Sequence, residues 1–264
     1  MRDLWEPLVR RSRRLAAYYG GLGLLAWDVG RNAWLPRRYV SLVIAEFDGM
    51  GVRSLVVAST AAIFTGMVFA LQASVYLSRF GADLYVGPLV ALSIVRELGP
   101  VLTAILVGGK VASGITAELG SMMVTEQIDA LRAIGVNYVK RLIVPRMWAA
   151  LFVFPLLTVL ADFIGLVGGM LVAVSERQID LYLYWNTIFY WVVIRDLLTG
   201  IGKSFFFGII VTLIGCYNGL GMTGGTEGLG RATTATVVEV SVAVIIADFF
   251  LTKLFLLLWE LSGG

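Results

Sequence analysis

Arg96, Glu97, Asp162, Lys203, Asp248 and Lys253 are charged side chains inside stretches of the chain that are otherwise apolar. At the centre of a membrane helix such a residue costs roughly 2.5–3.5 kcal/mol on insertion scales, so it is paired or lines a wet cavity. Arg96 and Glu97 have long apolar flanks on both sides, which puts them near mid-bilayer. Neighbouring residues on a helix point about 100° apart, so the two cannot form one well-faced pair. Each needs a partner on another helix, or a polar cavity. Lys203 is the basic candidate, and Asp162, Glu239 and Asp248 are the acidic ones. The cluster is either an ion-pair network that holds a bundle together or the polar feature of a transport cavity, and the cavity is the preferred reading.

Other chemistry is excluded by residue type. The chain has no His and a single Cys, Cys216. That removes imidazole metal sites, Ser-His and Cys-His nucleophile pairs, disulfides and Cys-based zinc sites. GLGMTG at 219–224 fits the letters of a dinucleotide fingerprint, but it follows an apolar span rather than a strand, so it reads as a glycine loop. GGTEGLG at 224–230 lacks the Lys and Ser/Thr of a phosphate-binding loop, so this chain binds no ATP by a Walker motif. Gly165 with Gly169, and Gly215 with Gly219, form GxxxG pairs whose default meaning is close helix packing.

The elements that position the charges follow from composition. Of 264 residues, 58% are hydrophobic and 15% charged, against about 25% charged in an average soluble domain. This is a membrane protein with no room for a soluble catalytic domain. Five spans of about 20 apolar residues are expected, at 54–78, 84–109, 147–175, 197–217 and 240–259. Fifteen Lys and Arg fall on one side, in the segment up to Arg53, the 110–146 loop and Arg231; three, Arg79, Arg177 and Arg195, fall on the other. The positive-inside rule then puts the N-terminus in the cytoplasm and Gly264 outside. The net charge of +3 and pI near 9.1 reflect these loops rather than nucleic-acid binding. Tyr182, Tyr184, Trp185, Tyr190 and Trp191 belong to the outer interface.

Residues 1–53 do not resemble a signal peptide, because the apolar run at 18–27 is short and no cleavage site follows. Pro36 divides this segment, and its second piece, 39–50, reads as an interfacial helix led by the basic run Arg10 to Arg14. An ordinary amphipathic helix of a soluble protein is the alternative. The fold expected is an all-α polytopic membrane protein: interfacial helices over 1–53, then a five-helix domain over 54–264. In the loop 110–146, VTEQIDALRAIG at 124–135 has helical composition with Gly135 as its C-cap. Glu126 and Asp129 share one face there, while Ile128, Leu131 and Ile134 favour another. An anionic membrane surface would repel those acids, so docking onto a protein is the better reading.

ALSIVRELGPVLTAILVGGKVASGITAELGSMMVTEQIDALRAIGV at 91–136 closely resembles the signature region of the MlaE (YrbE) permease family. IVPR at 143–146, Asn218-Gly219 and GRATTATVV at 230–238 fit the same family. The match runs from about Ser54 to the C-terminus and is weakest over the first 30 residues. The resemblance implies the membrane subunit of an ABC transporter that moves phospholipids between inner and outer membranes and maintains outer-membrane lipid asymmetry. It implies a homodimer in the bacterial inner membrane, two cytoplasmic ATPase subunits, a periplasmic ring of MCE-domain proteins and a STAS-domain protein. Partners do not include nucleic acid, and ATP and Mg are held by the ATPase, so this chain carries no cofactor and no catalytic residue. Carried onto this sequence, Arg96, Glu97 and Lys203 lie at the lipid cavity. The coupling region is 117–135, with Glu118, Thr125, Glu126, Asp129 and Leu131 contacting the ATPase. A secondary transporter relaying protons through Glu97 or Asp248, and a membrane scaffold without transport, are the rivals.

Overall fold

The computed structural model describes residues 6–34 and 39–261, and the described residues include no strand. Helix α1 (Glu6–Arg31) and helix α2 (Val40–Met50) precede α3 (Leu55–Ser78). A π turn at Ile94–Leu98 joins α4 (Val86–Ser93) to α5 (Gly99–Val124), and the short α6 (Gln127–Ala133) follows. A second π turn, Val139–Ile143, leads into α7 (Val144–Arg177). Helices α8 (Leu181–Trp191), α9 (Ile194–Leu220) and α10 (Gly225–Leu261) complete the chain. Five helical stretches are long and apolar enough to cross a membrane: Val40–Ser78, Asp83–Val124, Val139–Arg177, Ile194–Leu220 and Gly225–Leu261.

Each expected span lies inside one of these stretches; the ends expected at 78, 84, 175, 197, 217 and 259 agree within three residues, and those at 54, 109, 147 and 240 fall short of the helices. The loop expected over 110–146 is largely helix, since Lys110 and Glu118 lie on α5 and Arg146 on α7. Likewise α10 begins at Gly225 rather than near 240. Hydropathy marks where a helix is apolar, whereas its hydrogen-bond ladder runs on through polar residues that tolerate helical geometry. The glycine loop at 219–224 shrinks for the same reason to a turn after Leu220, with Gly224 at φ +91° and Gly225 at φ +64°.

Small residues set the spacing of the spans. A Cβ on Gly66 would lie 1.9 Å from the Gly165 carbonyl oxygen, and one on Gly168 would lie 2.3 Å from that of Ile63. Helices α3 and α7 therefore touch backbone to backbone, as small-residue interfaces allow. Gly215 and Gly219 meet Ala112, Thr116 and Leu119 of α5 in the same way, while Gly169 packs under Val90 and Tyr184. A continuous buried cluster including Val107, Ile143, Phe154, Phe207, Val211 and Val244 fills the centre.

Helix α1 is amphipathic. Leu25 and Val29 are buried and Tyr18 and Leu22 half-buried along one stripe, whereas Tyr19, Leu24 and Trp27 are exposed. It lies across α9 and the π turn ahead of α7, and α2 returns along α7. The expected break at Pro36, the side chains of Arg10, Arg11 and Arg14, and the terminal Gly264 lie outside the described residues. In α8 the aromatic cluster divides: Tyr184 is buried and donates to the Leu166 carbonyl at 3.2 Å, and Tyr182, Tyr190 and Trp191 are exposed.

Candidate functional site

Pro100 shapes the middle of the second span. Proline has no N–H, and its ring clashes with the carbonyl one turn back. The chain opens there into the π turn, closed by the Gly99 N–H on the Ile94 carbonyl. Pro145 follows the second π turn at the same distance. Such turns free backbone carbonyls and re-aim side chains. Helix α9 meets the first turn closely. A Cβ on Gly200 would lie 2.1 Å from the Val95 carbonyl oxygen, and Lys203, one turn on, donates to the Arg96 carbonyl at 3.1 Å.

Lys203 is fully buried. Its ammonium also donates to Glu97 Oε2 at 2.5 Å and to Thr252 Oγ1 at 2.6 Å, which uses its three protons. Asp248 Oδ1 is 2.9 Å from Nζ yet has no hydrogen-bond partner, so it offsets charge without a directed bond. Arg96 turns to a different partner: its Nε and Nη2 lie 2.6 and 2.5 Å from Asp196 Oδ1. The other Asp196 oxygen accepts the Val193 N–H at 3.0 Å and caps α9. Arg96 and Glu97 thus reach separate partners, both on α9, and their side chains remain 47% and 41% exposed. The site is a half-open row of charges floored by a buried lysine.

Of the acids named from sequence, Asp248 joins this cluster and two do not. Asp162 is buried against Gly99, with its Oδ1 unpartnered. Glu239 accepts hydrogen bonds from Tyr18 and Asn218 instead. Asp196 was not among the candidates, although its place in the first turn of the fourth span, where an acid caps a helix, was a usable signal. Replacing Asp196 by Ala is expected to lower the thermal midpoint of the purified protein through loss of the cap, about 1 kcal/mol, and of the Arg96 pair. Asp196→Asn keeps an acceptor and should recover only the cap share.

The second candidate region is α6. Ile128 is fully buried and Leu131 partly so, which anchors the helix against α5. Ile134, expected on the same face, is 73% exposed. Glu126 adopts φ +57° at the helix start, so it leaves the helical phase that would have set it squarely over Asp129. Gly135 at φ +76° closes the helix, with its N–H on Arg132 and the Val136 N–H on Leu131, the Schellman arrangement expected of a C-terminal glycine. Thr125, Glu126, Gln127, Asp129 and Ile134 are left as an exposed ridge, with Asp129 paired to Arg132 at 2.9 Å. Glu118 lies off this ridge. It pairs at 2.7 Å with Arg146, whose buried guanidinium also lies 3.1 Å from Glu46 of α2.

A family model described as Permease MlaE matches residues 43–254. A probable ABC transporter permease protein of Rickettsia bellii is 37% identical over 253 residues, 96% of this chain and 98% of that one. The intermembrane phospholipid transport system permease protein MlaE of Haemophilus influenzae is 39% identical over 221 residues, 83% of this chain and 84% of its own. The chloroplastic protein trigalactosyldiacylglycerol 1 of Arabidopsis thaliana is 34% identical over 212 residues, 80% of this chain and 61% of its own length.

Proposed function

Because the chain belongs to the MlaE permease family, we propose that it is the membrane subunit of an ABC transporter moving phospholipids between the inner and outer membranes. In this reading it maintains outer-membrane lipid asymmetry as a homodimer in the bacterial inner membrane. Two cytoplasmic ATPase subunits hold ATP and Mg, a periplasmic ring of MCE-domain proteins exchanges lipid with the permease, and a STAS-domain protein completes the assembly. The chain is a transporter subunit rather than an enzyme. Its N-terminus is cytoplasmic and its C-terminus periplasmic. The observation that supports the reading most is α6. An exposed ridge on a short helix, anchored by buried Ile128 against α5, is built to take a push from a partner and pass it on.

Arg96, Glu97 and Lys203 then belong to the lipid cavity. Arg96 and Glu97 reach its surface and Lys203 holds the π turn from beneath. A phosphate meets the half-exposed Arg96 guanidinium, and acyl chains fill apolar surface at about 25 cal/mol per Å² buried. A proton relay gains no support, since Glu97 and Asp248 both already lie against Lys203.

Reversing Glu126 and Asp129 to Lys together is expected to reduce co-purification of the ATPase and lipid-stimulated hydrolysis, with the permease still folded. Both side chains are exposed, so the change acts on docking rather than on the core. Wild-type levels of both would overturn the docking assignment. A Cys at Gln127 should be shielded from a membrane-impermeant label applied outside, and one at Gly264 should react. The reverse pattern would invert the topology and remove the coupling role of α6.

A further inference from the structure

The C-terminal half of helix α1 is fastened at two points to parts of the permease that the reading above sets in motion. At the helix midpoint, the Tyr18 hydroxyl donates to Glu239 Oε2 on α10 at 2.7 Å, with Asn218 Oδ1 on α9 at 3.2 Å. The latch continues inward: Asn218 donates to Glu239 at 2.6 Å and to Thr236 at 2.9 Å, and Thr236 lies 3.1 Å from Thr116 of α5. Burial and the neighbouring Glu239 carboxylate raise the pKa of the Tyr18 phenol, so it stays a donor. Tyr217 packs edge-on to Tyr18 with centroids 5.0 Å apart, and its ring lies so close to Gly21 that a Cβ there would be 2.3 Å from the hydroxyl oxygen.

The C-terminal end meets the segment leaving α6 and the first turns of α7. Asn137 donates to Asn32 at 3.1 Å, and the Trp148 indole N–H donates to the Ala33 carbonyl at 2.9 Å. Fourteen residues of helix, about 21 Å, separate Tyr18 from Asn32. The two points therefore link the segment that follows the ATPase-facing helix, and the first turns of α7, to α10. Glu239 lies nine residues, about 13 Å, before Asp248 on that same helix.

We propose that the C-terminal half of α1 is a stiff cross-brace between α10 and the α6–α7 junction, with Tyr18 and Trp148 as its positioning residues. The proposal rests on the ABC permease reading for what drives the brace, but not for the brace itself. When α6 is displaced, the brace carries the displacement to α10 and so to the carboxylate and hydroxyl that hold Lys203. Neither residue touches lipid or nucleotide in this scheme.

The test uses Tyr18→Phe, which keeps the ring on Tyr217, and Trp148→Phe, which keeps a ring beside Phe152. Each is made singly and both together in the permease reconstituted with its ATPase in phospholipid vesicles. Lipid moved per ATP should fall about tenfold in each single variant, the scale of losing a hydrogen bond that holds one state, at unchanged assembly. The double variant should be no worse than the worse single one, because a brace cut at one end is already lost. In the permease itself, Tyr18→Phe should speed amide exchange at 137–148, the far end. Exchange rising only at 217–222, unchanged lipid moved per ATP in both single variants, or a double loss equal to the product of the single losses each overturns the brace. A wild-type complex that hydrolyses ATP without moving lipid instead sinks the phospholipid reading, and the exchange result then decides the brace alone.

Discussion

Lys203→Met is expected to remove most of the assembled permease from the membrane and nearly all of its lipid transport. The lysine is wholly buried, and its ammonium contacts two carboxyl groups, a hydroxyl and a backbone carbonyl. Truncating one partner of a buried ion pair costs about 3–5 kcal/mol, a large share of the 5–15 kcal/mol that holds a typical domain. Replacing all members together by neutral groups avoids stranding a charge. Lys203→Met with Glu97→Gln and Asp248→Asn should therefore restore assembly, measured as folded protein extracted per cell. Transport normalised to that amount should stay below about a tenth of wild type if the charges act in the lipid cavity. Recovery of normalised transport in the triple variant would reduce the cluster to structural glue. Wild-type assembly of Lys203→Met alone would contradict the burial argument itself.

Gly200→Val is expected to abolish transport with every charge left in place. The added Cβ would come within 2.1 Å of the Val95 carbonyl oxygen, so α9 must move off the π turn or the turn must re-form. Overpacking costs about 1–3 kcal/mol where side chains can give way, and here the obstacle is backbone. The shift carries Lys203 and Asp196 away from Glu97 and Arg96, since all four are held through the same helix contact. Gly114 is the control: it is helical, and a Cβ there meets nothing within 4 Å. Gly114→Ala should leave transport intact and add a few tenths to about 1 kcal/mol of stability. Transport, together with the exchange protection of 94–100, checks both variants.

The two candidate regions were legible from sequence to different depths. In α6, the capping glycine and the buried Ile128 followed from local pattern, because helix ends and apolar faces are written in neighbouring residues. The phase of Glu126 did not, since its left-handed backbone depends on how α5 ends and α6 turns away from it. For the charges, the need for partners on another helix came from the cost of burial, and Lys203 was identified because it is the basic residue within the fourth span. Asp196 was missed because it stands at a span end, where a charge needs no explanation. Asp162 and Glu239 were named because they are acidic and near apolar sequence, which says nothing of the direction they face.

Five spans, an amphipathic lead-in and a membrane-embedded charge cluster are consequences of hydropathy, charge and glycine pattern, and these are visible in a one-dimensional string. Which charge meets which is not. It depends on the rotation and depth of each helix, and these are set by close approaches such as Gly66 on Gly165 and Gly200 on Val95. The π turn ahead of Pro100 adds a phase shift that a regular helical period does not contain. Two acids of the same type can therefore end as a ligand of Lys203 and as an isolated carboxyl against Gly99, because burial and pairing are properties of the packed bundle.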